Sequence, residues 1–394
     1  MKKVGSLQSC SLYVHVPFCA FKCDYCDFYS LALNSKRALL LDSDLELYVE
    51  KTLLQGLELF EKYRPCSVPT LYIGGGTPSV LGPTRMRRLL KGLLELITRF
   101  SIAPEEITVE ANPESADEAL LAALCEQGVS RLSLGVQTFF APSRQAIKRR
   151  GDEKQLSKQL ALAAEYFPGA FSIDLISGLP FQSENILLND ISQVLSFSPA
   201  HVSLYSLTLD GRTPLSIRAE KNRTLLPGKD ETDRLWVLGR DTLEAKGYKQ
   251  YEVSNFCLPG KQSRHNIRYW RMENWLGLGP GASGTVINDD TGTGLRFTNP
   301  EFSHTEAQRH EKKSEVLGTL TLIKESFLMG FRYIEGPCED LFRRRFNRSI
   351  GDCIPKTIKV WRGKGLFRED KIALNKEGLL FLDRFLLDAF GELH

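Results

Sequence analysis

No stretch of this 394-residue sequence approaches the ~20 uninterrupted apolar residues that cross a bilayer as a helix, so an integral helical membrane protein is not expected. The opening MKKVGSLQSC carries two lysines but no apolar run leading to a small-residue cleavage site, so it does not read as a secretory signal. Internal repeats and low-complexity tracts are missing. An excess of either charge is nearly missing too: the net charge is +3, residues 1–310 hold 35 basic and 35 acidic side chains, and residues 311–394 hold 16 against 13. What excess there is sits at the C-terminal end. Nine cysteines, an odd number in a large chain without a secretion signal, argue against a disulfide framework and for reduced thiols. The expected location is the cytoplasm.

What is present fits a soluble globular protein of more than one unit: 42% hydrophobic and 25% charged residues over a length that suits one large domain and a smaller module. Six β-rich runs, SLYVHV (11–16), TLYIGG (70–75), EITVEA (106–111), RLSLGV (131–136), FSIDLI (171–176) and HVSLYSL (201–207), alternate with segments of helical spacing at 45–61, 84–99, 115–126, 152–166 and 185–196. Alternation of this kind predicts a parallel sheet, because parallel neighbours need crossover connections. Six units fall short of the eight that close a full barrel, so the expected α/β fold is a partial (β/α)6, TIM-like barrel with its mouth at the strand C-termini. Residues 1–210 are assigned to it.

Residues 211–305 are rich in Gly, Pro and Asn, as in NFCLPGKQSRHN and GLGPGASGT, and are expected to be an extended cover over the mouth rather than a row of helices. Residues 306–394 return to helical spacing with a short hairpin at GLFRED and KIALN. They are expected to form a small helix-rich domain of winged-helix-like arrangement. The basic run RRRFNR (343–348), with Lys356, Lys359, Arg362 and Lys364, would suit an acidic partner or peripheral contact with a membrane surface. Nucleic acid is not the expected partner.

Cys19, Cys23 and Cys26 fall within eight residues directly after the first strand, close enough for one loop to wrap three corners of an iron–sulfur cube. The other six cysteines (Cys10, Cys66, Cys125, Cys257, Cys338 and Cys353) lack ligand spacing and read as small hydrophobes. Structural zinc wants four ligands, and no second cysteine or histidine pair of suitable spacing follows nearby. Three ligands leave one iron open for a chelating substrate. S-Adenosylmethionine (SAM) chelates in this way, and an electron from the cluster can then cleave its sulfonium.

The Cys-x3-Cys-x2-Cys spacing resembles the signature of the radical SAM superfamily. In order, YVHVPFCAFKCDYCDF, YIGGGTPS, EANPE, RLSLGVQTF, DLISGLP, YEVSNF and HNIRYW resemble the oxygen-independent coproporphyrinogen III oxidases and their relatives, on the heme chaperone HemW branch. The resemblance runs from about residue 12 to 390. It implies a [4Fe-4S] cluster on the three cysteines, and SAM or cluster contacts at Tyr13 and Tyr25. It implies SAM contacts at Gly75, Gly76, Thr77, Glu110, Gln137, Arg149 and Asp174, with Glu110 on the ribose hydroxyls. His265, in HNIRYW, becomes a candidate heme contact or axial ligand, although a histidine beside Tyr269 and Trp270 also reads as a packed residue.

Two departures bear on activity. The catalytic oxidases carry a further cysteine two residues after the third ligand, where this chain has Phe28, and a family histidine after the arginine pair is Gly151 here. The resemblance thus implies a protein that binds heme as cargo and passes it to heme-acceptor proteins, with a flavodoxin- or ferredoxin-type reductant. The alternatives are an active coproporphyrinogen III dehydrogenase, which Phe28 opposes, and a radical SAM enzyme that modifies RNA, suggested only by the basic end.

Overall fold

The computed structural model describes residues 7–35, 38–39, 42–209, 211, 213–303 and 312–393. Six strands, β1 (Ser11–Val16), β2 (Thr70–Gly75), β3 (Glu106–Ala111), β4 (Arg131–Gln137), β5 (Phe171–Ser177) and β6 (His201–Ser206), lie side by side in chain order. All five pairings among them are parallel. The crossovers run through α1 (Asp42–Tyr63), α2 (Gly82–Phe100), α3 (Glu118–Glu126), α4 (Ala141–Ala146), α5 (Glu153–Tyr166) and α6 (Glu184–Ser196). The expected partial barrel is present, with strand limits within one residue of the pattern read from sequence.

Alternation along each strand decides what the two faces hold. Leu12, Val14 and Val16, then Leu71 and Ile73, Ile107 and Val109, Leu132 and Leu134, and Ile173 and Leu175 are buried in one apolar layer with the helices. The intervening positions are Tyr13 and His15, Thr70 and Tyr72, Glu106 and Glu110, Ser133, Asp174 and Ser203. Registers such as Tyr13 opposite Tyr72 and Glu110 opposite Ser133 keep them on the other face. Helix starts are fixed by side-chain caps, as where Asp117 accepts from Leu120 N–H at 2.9 Å and Asp152 from Gln155 N–H at 2.8 Å.

The segment after the barrel borders the mouth at its two ends: α7 (Pro214–Lys221) lies against the cysteine loop, and Phe302 N–H donates to the Tyr29 hydroxyl of that loop at 2.7 Å. Between them α8 (Lys229–Ala245) packs on the sheet as a further helix. Then β7 (Lys249–Gln250) and β8 (Asn255–Cys257) add antiparallel strands beside β6. α9 (Arg264–Trp270) crosses the N-terminal ends of β2 and β3. β9 (Trp275–Leu278), β10 (Ser283–Asn288), β11 (Thr293–Thr298) and β12 (Lys313–Leu317) extend the sheet from β1. The glycines mark close approaches within this sheet: a Cβ on Gly277 would lie 2.3 Å from the Ser283 carbonyl oxygen.

Beyond β12 come α10 (Thr319–Gly330), α11 (Glu339–Phe346), α12 (Ile350–Cys353), α13 (Pro355–Gly363), α14 (Lys376–Leu379) and α15 (Leu382–Glu392). They gather a second core around Phe327, Phe331, Trp361 and Phe385. The expected hairpin is a single antiparallel bridge, Phe367 to Leu374. Arg345 of the basic run is only 4% exposed and pairs with Asp289 at 2.7 Å, so that charge belongs to the packing rather than to a basic face. No described helix is long and apolar enough to cross a membrane.

Candidate functional site

The cysteine loop leaves β1 at Pro17 and is held at both ends. Phe18 and Cys19 pair in parallel with Leu31 and Ala32. His15 Nε2 reaches the Tyr29 carbonyl at 2.9 Å, while its Nδ1 meets the Tyr13 hydroxyl at 3.0 Å. Burial lowers the pKa of His15, which favours the neutral ring, with Nε2–H donating to the carbonyl and Nδ1 accepting from the hydroxyl.

The loop closes one side of a cleft of about 660 Å³ at the C-terminal ends of the strands, where Cys19, Cys23, Tyr25, Cys26, Gly75, Gly76, Thr77, Glu110, Gln137, Arg149 and Asp174 all lie in its wall. Two expected residues are elsewhere. Tyr13 points into the barrel beneath the cleft, on His15 and Tyr72.

His265 is at the opposite end of the strands, 1% exposed, with Nδ1 2.7 Å from the Thr70 hydroxyl and its ring stacked on Tyr72. Both Glu106 carboxylate oxygens accept backbone N–H groups at the start of α9, those of Arg264 and His265, each at 2.9 Å, which fixes the helix there. Burial, with Arg268 nearby, pushes the His265 pKa down to about 3. His265 is thus a packed ring at the barrel floor and lies outside the wall of the cleft.

The glycine turn is shaped by the loop. A Cβ on Gly76 would lie 2.7 Å from the Phe18 carbonyl oxygen and 3.0 Å from Cys19 Sγ, and one on Gly75, where φ is +112°, would lie 2.5 Å from the His15 ring. Thr77 Oγ1 donates to Cys19 Sγ at 3.4 Å and Arg149 Nη1 to Cys23 Sγ at 3.7 Å. Burial raises the Cys19 thiol pKa and pushes that of Cys26 up to about 11, and a strong local cation such as iron favours the ionised form of both sulfurs. Among the described residues no three His, Cys, Asp or Glu side chains converge tightly enough to hold a single ion. A cube, which gives each thiolate a different iron, asks for wider spacing. The donor set therefore fits the cluster better than zinc.

Arg149 is buried and over-determined. It donates to Asn112 Oδ1 at 2.8 Å and to the Gly135 carbonyl, and lies 3.7 Å from Glu114. Glu114 also pairs with Arg144 at 3.1 Å, and Arg144 Nε donates to the Gly151 carbonyl at 3.0 Å. Gly151, at φ +82°, thus supports this wall where the family has a histidine. Gln137 has φ +72° beside an irregularity in the β4–β5 register, the kind of strained backbone that aims a side chain into a site. Asn112, Glu114 and Arg144 were not found by sequence reasoning, although EANPE contains two of them. Phe28 is 65% exposed at the rim, with Phe21, Leu207 and Leu209 also in the wall.

Comparison with known proteins agrees with this geometry. The Radical SAM superfamily profile matches residues 13–193. The heme chaperone HemW of Lactococcus lactis is 33% identical, over 96% of this chain and 97% of its own length. HemW of Escherichia coli is 32% identical, over 95% and 99%. The mouse mitochondrial radical S-adenosyl methionine domain-containing protein 1 is 32% identical, over 97% and 88%. Among solved structures, the radical SAM coproporphyrinogen III oxidase HemN of Escherichia coli superposes with a TM-score of 0.77, over 100% of this chain and 92% of that one, at 20% identity, a likeness of fold. The chain belongs to the radical SAM superfamily and, within it, to the HemW branch of the coproporphyrinogen oxidase-like proteins.

Proposed function

We propose that this protein is a cytoplasmic heme chaperone built on a radical SAM barrel. Cys19, Cys23 and Cys26 would hold a [4Fe-4S] cluster, with SAM against Gly75, Gly76, Thr77, Glu110, Gln137, Arg149 and Asp174. When bound, cluster and SAM would supply one-electron chemistry, fed by a flavodoxin- or ferredoxin-type reductant. The chain's own part is positional. Thr77 and Arg149 direct donors at two of the sulfurs, Glu110 offers an acceptor on the cleft floor, and the loop shuts one side.

Heme is the cargo, to be passed to heme-acceptor proteins. The observation that carries this reading is Phe28, a largely exposed aromatic ring on the cleft rim where catalytic relatives have a cysteine. An apolar rim suits a flat macrocycle and offers no thiol for chemistry on the propionates. The basic C-terminal end would serve contact with an acceptor or a membrane surface. The test is anaerobic: the reconstituted protein receives SAM and reductant, with coproporphyrinogen III in one sample and heme in another. Stable heme uptake without conversion is expected; formation of protoporphyrinogen with stoichiometric 5′-deoxyadenosine would replace the chaperone by the dehydrogenase.

A further inference from the structure

Asp24 lies between the second and third cysteines, and its side chain is only 5% exposed. A carboxylate buried in the loop that carries the three cysteines is costly unless its charge is paired. It is paired from two directions. Lys148 Nζ lies 3.0 Å from Oδ1 and Arg218 Nη2 lies 2.9 Å from Oδ2.

The backbone makes the same connections. Asp24 N–H donates to the Ile147 carbonyl at 3.0 Å, and Leu215 N–H donates to the Asp24 carbonyl at 2.9 Å. Arg218 Nη2 also reaches the Ala146 carbonyl at 2.5 Å, joining the two braces to each other. Beside them the Tyr25 ring packs on a small apolar cluster of Ile147, Ile176, Leu179 and Leu215.

One brace comes from the turn after α4, where Lys148 sits at φ +53° next to Arg149, which touches Cys23. The other is α7, contributed by the chain that follows the six barrel strands. Sequence reading passed over all three charges, because Asp24 is not a ligand and its partners lie more than 120 residues away.

We propose that Asp24 is the positioning residue of the cysteine loop and that, through Arg218, it makes α7 part of the mount on which the cluster is held. This rests on the reading that Cys19, Cys23 and Cys26 bind the cluster. Retention of the cluster then depends on a helix outside the β/α units. Loss of Arg218 alone leaves the buried Asp24 with Lys148 as its remaining ionic partner, whereas loss of both charges removes the buried charge together with the brace.

The test uses the full chain, reconstituted anaerobically, and compares Asp24→Asn, Arg218→Gln, the double variant and Lys221→Gln, a control on the same helix. Two rates are read: loss of the cluster's visible absorbance to an iron chelator, and amide hydrogen exchange across residues 214–223. Each single variant is expected to speed cluster loss by about 10-fold and to speed exchange in α7, and Lys221→Gln to do neither. The double variant should lose its cluster no faster than Arg218→Gln, because charges in one network are not additive.

Wild-type rates in both single variants, or effects that multiply in the double, would overturn the proposal. Failure of the underlying reading looks different: the wild type would then take up no cluster, or Cys23→Ser would take up as much as the wild type. Should Asp24→Asn not fold, Arg218→Gln against Lys221→Gln still decides, since α7 would be a mount only if its arginine governs the chelation rate.

Discussion

The Tyr72 hydroxyl donates to Glu110 Oε1 at 2.6 Å, and the second oxygen of that carboxylate accepts from Gly75 N–H at 3.1 Å. Glu110 is thus at once the floor of the cleft and a clamp on the glycine turn. Burial, with the charge of Asp174 added, pushes its pKa up to about 7 from an ordinary 4.5. In that window the folded protein keeps a proton that the unfolded chain has released, so ionising Glu110 costs stability as pH rises from about 4.5 to about 7.

Glu110→Gln removes the titration while keeping the shape. Urea denaturation of both proteins at a series of pH values should show the variant gaining on the wild type across this window, by up to on the order of 3 kcal/mol. A difference that stays flat with pH would mean that Glu110 ionises as an ordinary carboxylate.

Gly76→Ala drives a methyl group against the Phe18 carbonyl and the Cys19 sulfur, two groups that the loop pairing fixes in place. The expected cost is about 1–3 kcal/mol, together with a reduced iron content after reconstitution. Gly363→Ala, at the end of α13 with nothing within 4 Å, should be neutral or slightly stabilising. Equal iron content in all three proteins would separate the glycine turn from the cysteine loop.

Much of the barrel was legible because strand alternation, crossover length and the cysteine spacing are local signals. β1, β2 and β3 match the runs read from sequence to the residue, and the cleft residues follow since they end or succeed those strands. The floor and braces were not legible, because they depend on contacts distant in sequence. HNIRYW looks like a ligand motif until Glu106 and Thr70, more than 150 residues earlier, are seen to hold it beneath the barrel. The Gly- and Pro-rich stretch after residue 208 read as a cover. Gly277 and Gly284 permit close strand pairing, and Gly281 lets the Tyr29 ring of the cysteine loop approach, roles that composition alone does not reveal.

His265→Ala distinguishes the floor from the mouth. The ring fills a site among Tyr13, Tyr72 and Tyr269, so its removal leaves a cavity and takes from the Thr70 hydroxyl one of two partners, Ser11 being the other, for an expected loss of about 2–4 kcal/mol. Thermal unfolding should show the loss. The Soret spectrum and heme affinity at a temperature where both proteins are folded should not change. A shifted Soret band would restore His265 as an iron ligand.

Phe28→Ala tests the seat of the cargo without touching the cluster ligands. The ring is 65% exposed in the free protein, so a porphyrin that covers it gains burial that is absent beforehand. Covering most of a phenylalanine is worth about 1.5–3 kcal/mol, which corresponds to a fall in heme affinity of about 10- to 100-fold when the ring is removed. Because the free protein leaves this ring mostly in water, its loss should leave stability and iron content nearly unchanged. The measurement is a heme titration followed by absorbance, run beside an iron assay on the same samples. Weakened heme binding with full iron content would place the macrocycle on the rim above the cysteine loop. Unchanged affinity would move the cargo off this cleft, and with it the argument that the substitution of cysteine by phenylalanine marks a carrier.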